Sequence, residues 1–367
     1  MHIAIVAKDM TPGGAERVIA QLLTEWCSQD IECSLVLMEN RPIFYKLPDK
    51  VNLYEIGRRS KNFAVSKFLQ YVDARKTIQK IKPDIVLSMP EEIGIYIIGA
   101  LLGSKIPVVV SERNNPWVMP YKKITRLLRR ITYPFATGLI FQTKQAASFF
   151  PKSQQKKGIV LPNPLDLSRI PEPYVGEREK IVVSAGRLET QKNFPLLIKA
   201  FSTFYQNHSD YKLVIYGEGS LRKELEKYAA SLLPDSAFSF PGNATDLPER
   251  INKCSVFALS SDYEGIPNVL IEALAMGVPS VSTDCAPGGA AELIDDDVNG
   301  FLVPIGDEKA LAAKMSELVD HADIAERFSK ESIAIKEKLD ANIVCERWLD
   351  FLMTLSQKKK KMKSKRI

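Results

Sequence analysis

"SVFALSSDYEGIPNVLIEALAMGVPSVSTD", Ser255 to Asp284, contains one complete repeat of a parallel sheet. A β-rich apolar run at 255–261 gives way to a polar loop. Pro267 then opens a helical stretch to Gly277, and a second β-rich run follows at 279–284. Strand, loop, helix and strand in that order are the pattern of a parallel sheet flanked by helices. Proline suits the first turn of a helix because the N–H it lacks would have no partner there, and glycine suits the end.

The same stretch suggests chemistry. The amides of Asn268, Val269 and Leu270 would point out of the helix start, where a phosphate is favoured. Glu264 precedes the helix and Glu272 lies about one turn inside it, too far apart for an i,i+4 surface pair. Two carboxylates beside an anion site are repelled unless they accept hydrogen bonds from hydroxyls. A phosphate flanked by two hydroxyl acceptors describes a nucleotide sugar. An acid that merely stabilises the helix dipole is the competing reading for Glu272.

Outward from this stretch the pattern repeats. The second half begins with strands at 180–186, 211–217 and 238–242, and the first half offers 2–8, 32–38, 84–89, 107–112 and 138–143. Amphipathic helical stretches alternate with them. "LPNPLDLSRIPEPYVGERE", 161–179, has four prolines and little periodicity, the composition of a linker. The fold class predicted is α/β, with two doubly wound Rossmann-like domains facing across a cleft. Expected boundaries are 1–165, a linker at 166–179, and 180–340. A C-terminal helix at 341–357 should pack back on the first domain, before a basic tail at 358–367.

In such sheets ligands sit beyond the carboxyl ends of the strands. "KDMTPGGAER", 8–17, places Gly13 and Gly14 ahead of a helix, either for close approach to an anion or as a tight turn. "GRLETQKN", 186–193, follows a strand, and Arg187 and Lys192 could clamp a diphosphate or form a solvated basic loop. In "YGEGSLRKELE", 216–226, Gly217 and Gly219 fit a backbone wall for a nucleotide or a sharp turn.

Composition excludes several classes. The chain has 367 residues, 45% hydrophobic and 26% charged, and a net charge of +6. The last ten residues carry seven Lys or Arg, so the rest sums to −1, which argues against a nucleic-acid partner. No apolar run approaches the ~20 residues needed to span a bilayer. The N-terminus starts a strand at once and has no signal-peptide layout. Five cysteines without metal-site spacing imply free thiols in a reducing compartment, hence the cytoplasm. Asp295–Asp297 invites a metal, but "VNG" after it marks a polar turn.

"GGAER", "GRL…QKN", "GEG", "EGIPNVLIEALAMGVPSV", "GGAAELI" at Gly288–Ile294 and "DDDVNGFLV" occur in this order along the chain. With the E-x7-E motif from Glu264 to Glu272, the set resembles the retaining glycosyltransferases of family 4, which have the GT-B fold. That resemblance implies Arg187 and Lys192 on the donor diphosphate, helped by the amides of 268–270. Glu272 would accept from the ribose hydroxyls, Glu264 would contact the transferred sugar, and Gly13 and Gly14 would leave room at the cleft. It also implies a UDP-sugar as co-substrate, no cofactor and no metal. A histidine common in that family after the fourth strand is replaced here by Glu112 and Arg113 in "VVVSERNNPW". Glu112 is then the candidate for sugar or acceptor contact, with a loop salt bridge as its alternative.

Two stretches are basic and amphipathic, Arg58–Lys82 and Tyr121–Phe135. Either they pack on the sheet with a solvated basic face, or they meet an anionic membrane surface. The second reading points to an undecaprenyl-diphosphate-linked glycan as acceptor and to a peripheral enzyme on the inner face of the cell membrane. A soluble acceptor, or a non-catalytic nucleotide-sugar-binding subunit, are the rival functions.

Overall fold

The structure, a computed structural model, describes the backbone of residues 1–364 and the side chains of these residues except 63, 64 and 359–364. It divides into two compact units: Met1–Pro164 together with the residues from Ala341 on, and Leu165–Asp340.

The first unit is built on β1 (His2–Ala7), β2 (Glu32–Leu37), β3 (Asn52–Glu55), β4 (Ile85–Ser88), β5 (Val108–Ser111), β6 (Gly138–Phe141) and β7 (Gly158–Val160). All pairings are parallel, in the order β3-β2-β1-β4-β5-β6-β7. Its first helices are α1 (Gly14–Ser28), α2 (Phe63–Ile81), α3 (Glu91–Ala100) and α4 (Lys123–Thr132). The central strands are apolar on both faces because both are covered. Ile3 and Ile5 pack with Leu22, Trp26 and Trp348 on one face. Ala4 and Val6 pack with Ile78, Ile97 and Phe150 on the other.

The second unit carries β8 (Glu179–Ala185), β9 (Lys212–Tyr216), β10 (Phe238–Gly242), β11 (Cys254–Leu259), β12 (Ser280–Thr283) and β13 (Phe301–Val303), ordered β10-β9-β8-β11-β12-β13 and also parallel. Each sheet reverses its winding once, between β1 and β4 and between β8 and β11. Adjacent loops diverge at such a switch point and leave a crevice.

Three strands were not read from the sequence. β3 is a largely exposed edge strand, whereas β7 and β13 have only three residues each, too few for a period to register. Residues 166–179, predicted as a linker, fold onto the second unit instead: Asn252 bonds the Glu172 carbonyl and the Tyr174 amide, and Arg178 bonds the carbonyls of Asn252, Cys254 and Gly277. The last helix, Ala341–Ser364, belongs to the first unit, and Trp26 Nε1 donates to the Cys345 carbonyl at 3.0 Å. Its backbone runs through the first part of the predicted tail. The side chains of 359–364 and all of 365–367 lie outside the described residues. All five cysteines are free and buried. Asp295–Asp297 form a turn in which Asp296 accepts from the Leu302 amide and Asp297 pairs with Arg327.

Candidate functional site

The loops after β8 and β11 meet at the switch point of the second sheet. After β8 the chain passes Gly186 and the exposed Arg187, then makes a 3-10 turn at Thr190–Lys192. Asn193 ends that turn in the left-handed region (φ 44°), a conformation asparagine tolerates, and its side chain caps the helix Phe194–Tyr205 through the Leu196 amide. This geometry turns Lys192 inward over Gly186, where an added Cβ would lie 2.8 Å from Lys192 Cε.

Lys192 Nζ lies 2.9 Å from Glu264 Oε2, and the two side chains are 11% and 13% exposed. Gln191 Nε2 donates to the same oxygen at 3.3 Å and to the Tyr263 carbonyl at 3.0 Å. Ser260 Oγ donates to the Lys192 carbonyl, Asn193 Nδ2 to Asp262 Oδ1, and the Asp262 amide to the Gln191 carbonyl. Five bonds thus fasten the two loops together around the ion pair. Gln191, Asn193, Ser260 and Asp262 were not singled out from the sequence. Their signal is adjacency to Lys192 and Glu264, which shows their partners only after folding.

The glycines of this edge serve protein–protein closeness. A Cβ on Gly217 (φ +130°) would stand 2.0 Å from the Gly186 carbonyl oxygen, and one on Gly219 2.3 Å from that of Leu188. The sharp-turn reading therefore accounts for both: they let the β9 loop lie directly on the β8 loop that carries Arg187. Across the site a Cβ on Gly289 would overlap the Gly265 carbonyl at 1.6 Å, bringing the "GG" turn against the Glu264 loop. Ser220 completes the packing by donating its amide and hydroxyl to Glu189, which hold that carboxyl below its usual range.

The helix Asn268–Ala275 starts one residue later than expected, with Pro267 as its N-cap rather than its first residue. The Leu270 amide donates to the Pro267 carbonyl at 3.1 Å, so it is not turned outward. The other two residues whose amides were expected to face an anion, Asn268 and Val269, open the helix and are half-buried. Glu272 is buried, one turn in.

In the first unit Gly13 and Gly14 lead into α1, but the Gly13 amide and carbonyl both bond the Tyr45 hydroxyl, at 3.1 and 2.9 Å. The backbone expected to approach an anion at Gly13 is tied to protein.

Glu112 is the clearest correction. It is 1% exposed, and Tyr133 donates its hydroxyl to Oε1 while Arg129 approaches Oε2 at 3.5 Å. Arg129, 2% exposed, also donates to the carbonyls of Met119 and Pro116 and lies over the rings of Phe149 and Phe150. Both carboxylate oxygens are therefore used inside the protein, and the salt-bridge alternative describes Glu112 better than substrate contact does. Burial, offset in part by Arg129, pushes its carboxyl up to about 8. Arg113 next to it bonds Asn163 Oδ1 at 2.5 Å and lies 5.8 Å from the Trp348 ring. Burial brings its guanidinium down to about 10.

Comparison with known proteins bears on the family and the fold. The model for "Glycosyltransferase Family 4" matches residues 12–169, and that for "Glycosyl transferases group 1" matches 170–334. From Campylobacter jejuni comes GalNAc-alpha-(1->4)-GalNAc-alpha-(1->3)-diNAcBac-PP-undecaprenol alpha-1,4-N-acetyl-D-galactosaminyltransferase, which is 29% identical over 96% of this chain and 98% of its own. A second enzyme of that organism, N-acetylgalactosamine-N,N'-diacetylbacillosaminyl-diphospho-undecaprenol 4-alpha-N-acetylgalactosaminyltransferase, is 29% identical over 90% of this chain and 93% of its own. Among solved structures, Anabaena HepE in complex with UDP and glucose superposes with a TM-score of 0.81 at 16% identity, covering 96% of this chain and 99% of its own. With two parallel Rossmann-like sheets and matches that run from residue 12 to residue 334, the chain belongs to glycosyltransferase family 4 and has the GT-B fold.

Proposed function

We propose that this glycosyltransferase is a retaining enzyme that uses a UDP-sugar. It moves a hexose or N-acetylhexosamine, such as GalNAc, GlcNAc or Gal, to a hydroxyl of an undecaprenyl-diphosphate-linked glycan in surface-polysaccharide assembly. The observation that carries this reading is the Lys192–Glu264 pair across the β8/β11 switch point, beside the exposed Arg187. The relatives whose names specify undecaprenol-linked acceptors support the acceptor class.

In the reaction the bond between the sugar's anomeric carbon and the UDP β-phosphate oxygen breaks, and one to the acceptor oxygen forms on the same face. The acceptor proton passes to the departing phosphate oxygen, so no side-chain nucleophile is required. Negative charge builds on UDP as the sugar becomes oxocarbenium-like. Arg187 provides a planar fork for that charge, Lys192 a positioned ammonium, and the amides of Asn268 and Val269 the dipole of a helix start. Such preorganised groups act most strongly where charge develops. Glu264 already receives Lys192 and Gln191 on Oε2, and we assign its Oε1 to a hydroxyl of the transferred sugar. Glu272, being buried, is assigned to the ribose hydroxyls at the bottom of the site. No metal and no cofactor are assigned to the step.

We place the enzyme on the cytoplasmic face of the membrane as a peripheral protein. Among the described residues no helix is long and apolar enough to cross a membrane, and α4 presents both apolar and basic side chains outward. The test is UDP release from a panel of UDP-sugars, with and without a polyprenyl-diphosphate-linked acceptor, and assignment of the product anomer by NMR. Arg187→Ala and Glu272→Ala should each abolish release. Unchanged turnover in both would overturn the site, and an inverted anomer would overturn the retaining mechanism.

A further inference from the structure

The amphipathic helix α4 is oriented unlike an ordinary surface helix. Its inward side chains are Thr125 and Arg129, with Leu128 and Thr132 half-buried beside them. Its apolar residues Ile124, Leu127 and Ile131 are each more than half exposed, as is Phe135 just beyond it. At about 100° per residue these four form one stripe, displaced by about a quarter turn or more from the buried side. Lys123 and Arg130, both exposed, border the stripe on its other flank. Contiguous exposed apolar surface rimmed by charge marks an interaction site. Burial of Arg129 explains the orientation: its guanidinium must reach Glu112 and two loop carbonyls, and that demand rotates the apolar stripe outward.

Where Leu128 joins the stripe to the buried side, a cavity of about 360 Å³ opens between α2, α3 and α4. Its walls are mostly apolar, with Phe68, Tyr71, Val72, Ile95, Tyr96 and Leu128, and Arg75 at the wall bonds the Ala100 and Leu102 carbonyls. Tyr71 and Tyr96 stack at 4.8 Å to form one side, and the mouth is marked by Phe68, more than half exposed. A cavity in the range of ordinary ligand pockets, about 300–1,000 Å³, that opens beside an exposed apolar stripe can be entered by a chain that never leaves apolar surroundings. The basic flank of α4 supplies the complementary charge for a diphosphate at the end of such a chain. On the first basic stretch three of the charges are instead paired with acids: Arg58 and Lys67 lie within ion-pair distance of Glu39, and Arg59 with Asp73.

We infer that this cavity is the binding site for the polyisoprenoid chain of the acceptor, with the α4 stripe lying in the membrane interface beside it. The inference rests on the proposed lipid-linked acceptor and locates where that lipid is held. It predicts that the enzyme measures the hydrocarbon as well as the glycan.

Gly99 gives a clean way to test it. It lies in the cavity wall on α3, and a Cβ there meets no atom within 4 Å. Gly99→Leu should fill the cavity without strain, and leucine is the better helix former. The first assay compares one glycan carried on undecaprenyl diphosphate and on a two-isoprene diphosphate, in detergent micelles. For the wild type we expect a KM about 10-fold lower for the long chain. Gly99→Leu should raise the long-chain KM to the short-chain value, leaving UDP-sugar hydrolysis unchanged and the melting temperature no lower than that of the wild type. Equal KM values in the wild type, or a long-chain preference retained in Gly99→Leu, would overturn the inference.

The second assay reads binding without catalysis, using fluorescent farnesyl phosphate as the probe. Binding to the wild type and its loss in Gly99→Leu support the site even if no lipid-linked glycan is ever glycosylated, in which case the acceptor reading alone fails. Transfer to lipid-linked acceptors without probe binding sinks the cavity and leaves the function standing. Displacement of the probe by phosphatidylglycerol as effectively as by undecaprenyl phosphate would make the occupant a bilayer acyl chain and overturn the polyisoprenoid assignment.

Discussion

Each unit carries a carboxylate and a cation that meet beyond the carboxyl edge of its sheet, and the two pairs have opposite characters. In the second unit Lys192 and Glu264 come from two loops, keep some exposure and are held by neighbours that fasten the loops together. In the first unit Glu112 and Arg129 are sealed inside, and their remaining hydrogen-bonding capacity goes to Tyr133 and loop carbonyls. The first arrangement leaves charge at hand for a ligand. The second uses buried hydrogen bonds to lock a loop and a helix. Position after a strand is thus a poor guide to function until burial and partners are known.

The largest expected effect tests the locked pair. Glu112→Ala removes the acceptor shared by the buried Arg129 and Tyr133, leaving two sealed donors unsatisfied, and should cost about 3–5 kcal/mol in urea unfolding. A loss no larger than that of an exposed ion pair would erase the contrast. Next, Lys192→Ala should lower kcat by about 10²–10³, or ~2.7–4 kcal/mol of transition-state stabilisation, with a smaller loss of stability than Glu112→Ala. UDP-release kinetics beside urea curves for both variants would separate a pair that acts from a pair that holds. Third, Gly217→Ala puts a methyl group against the Gly186 carbonyl at a positive φ and should cost about 1–3 kcal/mol. It should also raise the KM for the donor, because the displaced loop carries Arg187.

The smallest effect is on pH dependence. Burial raises Glu112 from the ordinary 4.5 to about 8. The folded protein therefore holds a proton that the unfolded chain gives up, and the resulting stability is complete below about pH 4.5 and lost as pH rises towards 8. Between pH 5 and 8, Glu112→Gln should flatten that decline. Parallel wild-type and variant profiles, from urea midpoints at several pH values, would mean that Glu112 is ionised in the fold.

Much of this was legible in the sequence. The alternation of apolar runs and helical periods gives the two parallel sheets, and the loops after β8 and β11 contain the residues that meet there. What could not be read depends on direction rather than composition. Glu112 and Glu264 are both acids after apolar strands, and nothing local tells that Tyr133 and Arg129 converge on the first. Gly217 and Gly219 look like ligand-facing glycines, yet the carbonyls they make room for belong to residues about thirty positions earlier. In α4 the apolar spacing correctly signals an amphipathic helix, but a single buried arginine decides which side faces out. The signal for β3, β7 and β13 is too short to rise above the surrounding loops.

The last helix has a consequence for biogenesis. Trp348, Leu349 and Leu352 complete the layer over Trp26 and Ile3, but they leave the ribosome after every residue of the second unit. The first unit is therefore synthesised first and finished last, with a greasy flank open while roughly half the protein is still being made. Such transient exposure invites aggregation, so chaperones would have their natural hold on the nascent chain there, and truncation before Ala341 would leave that hold permanent.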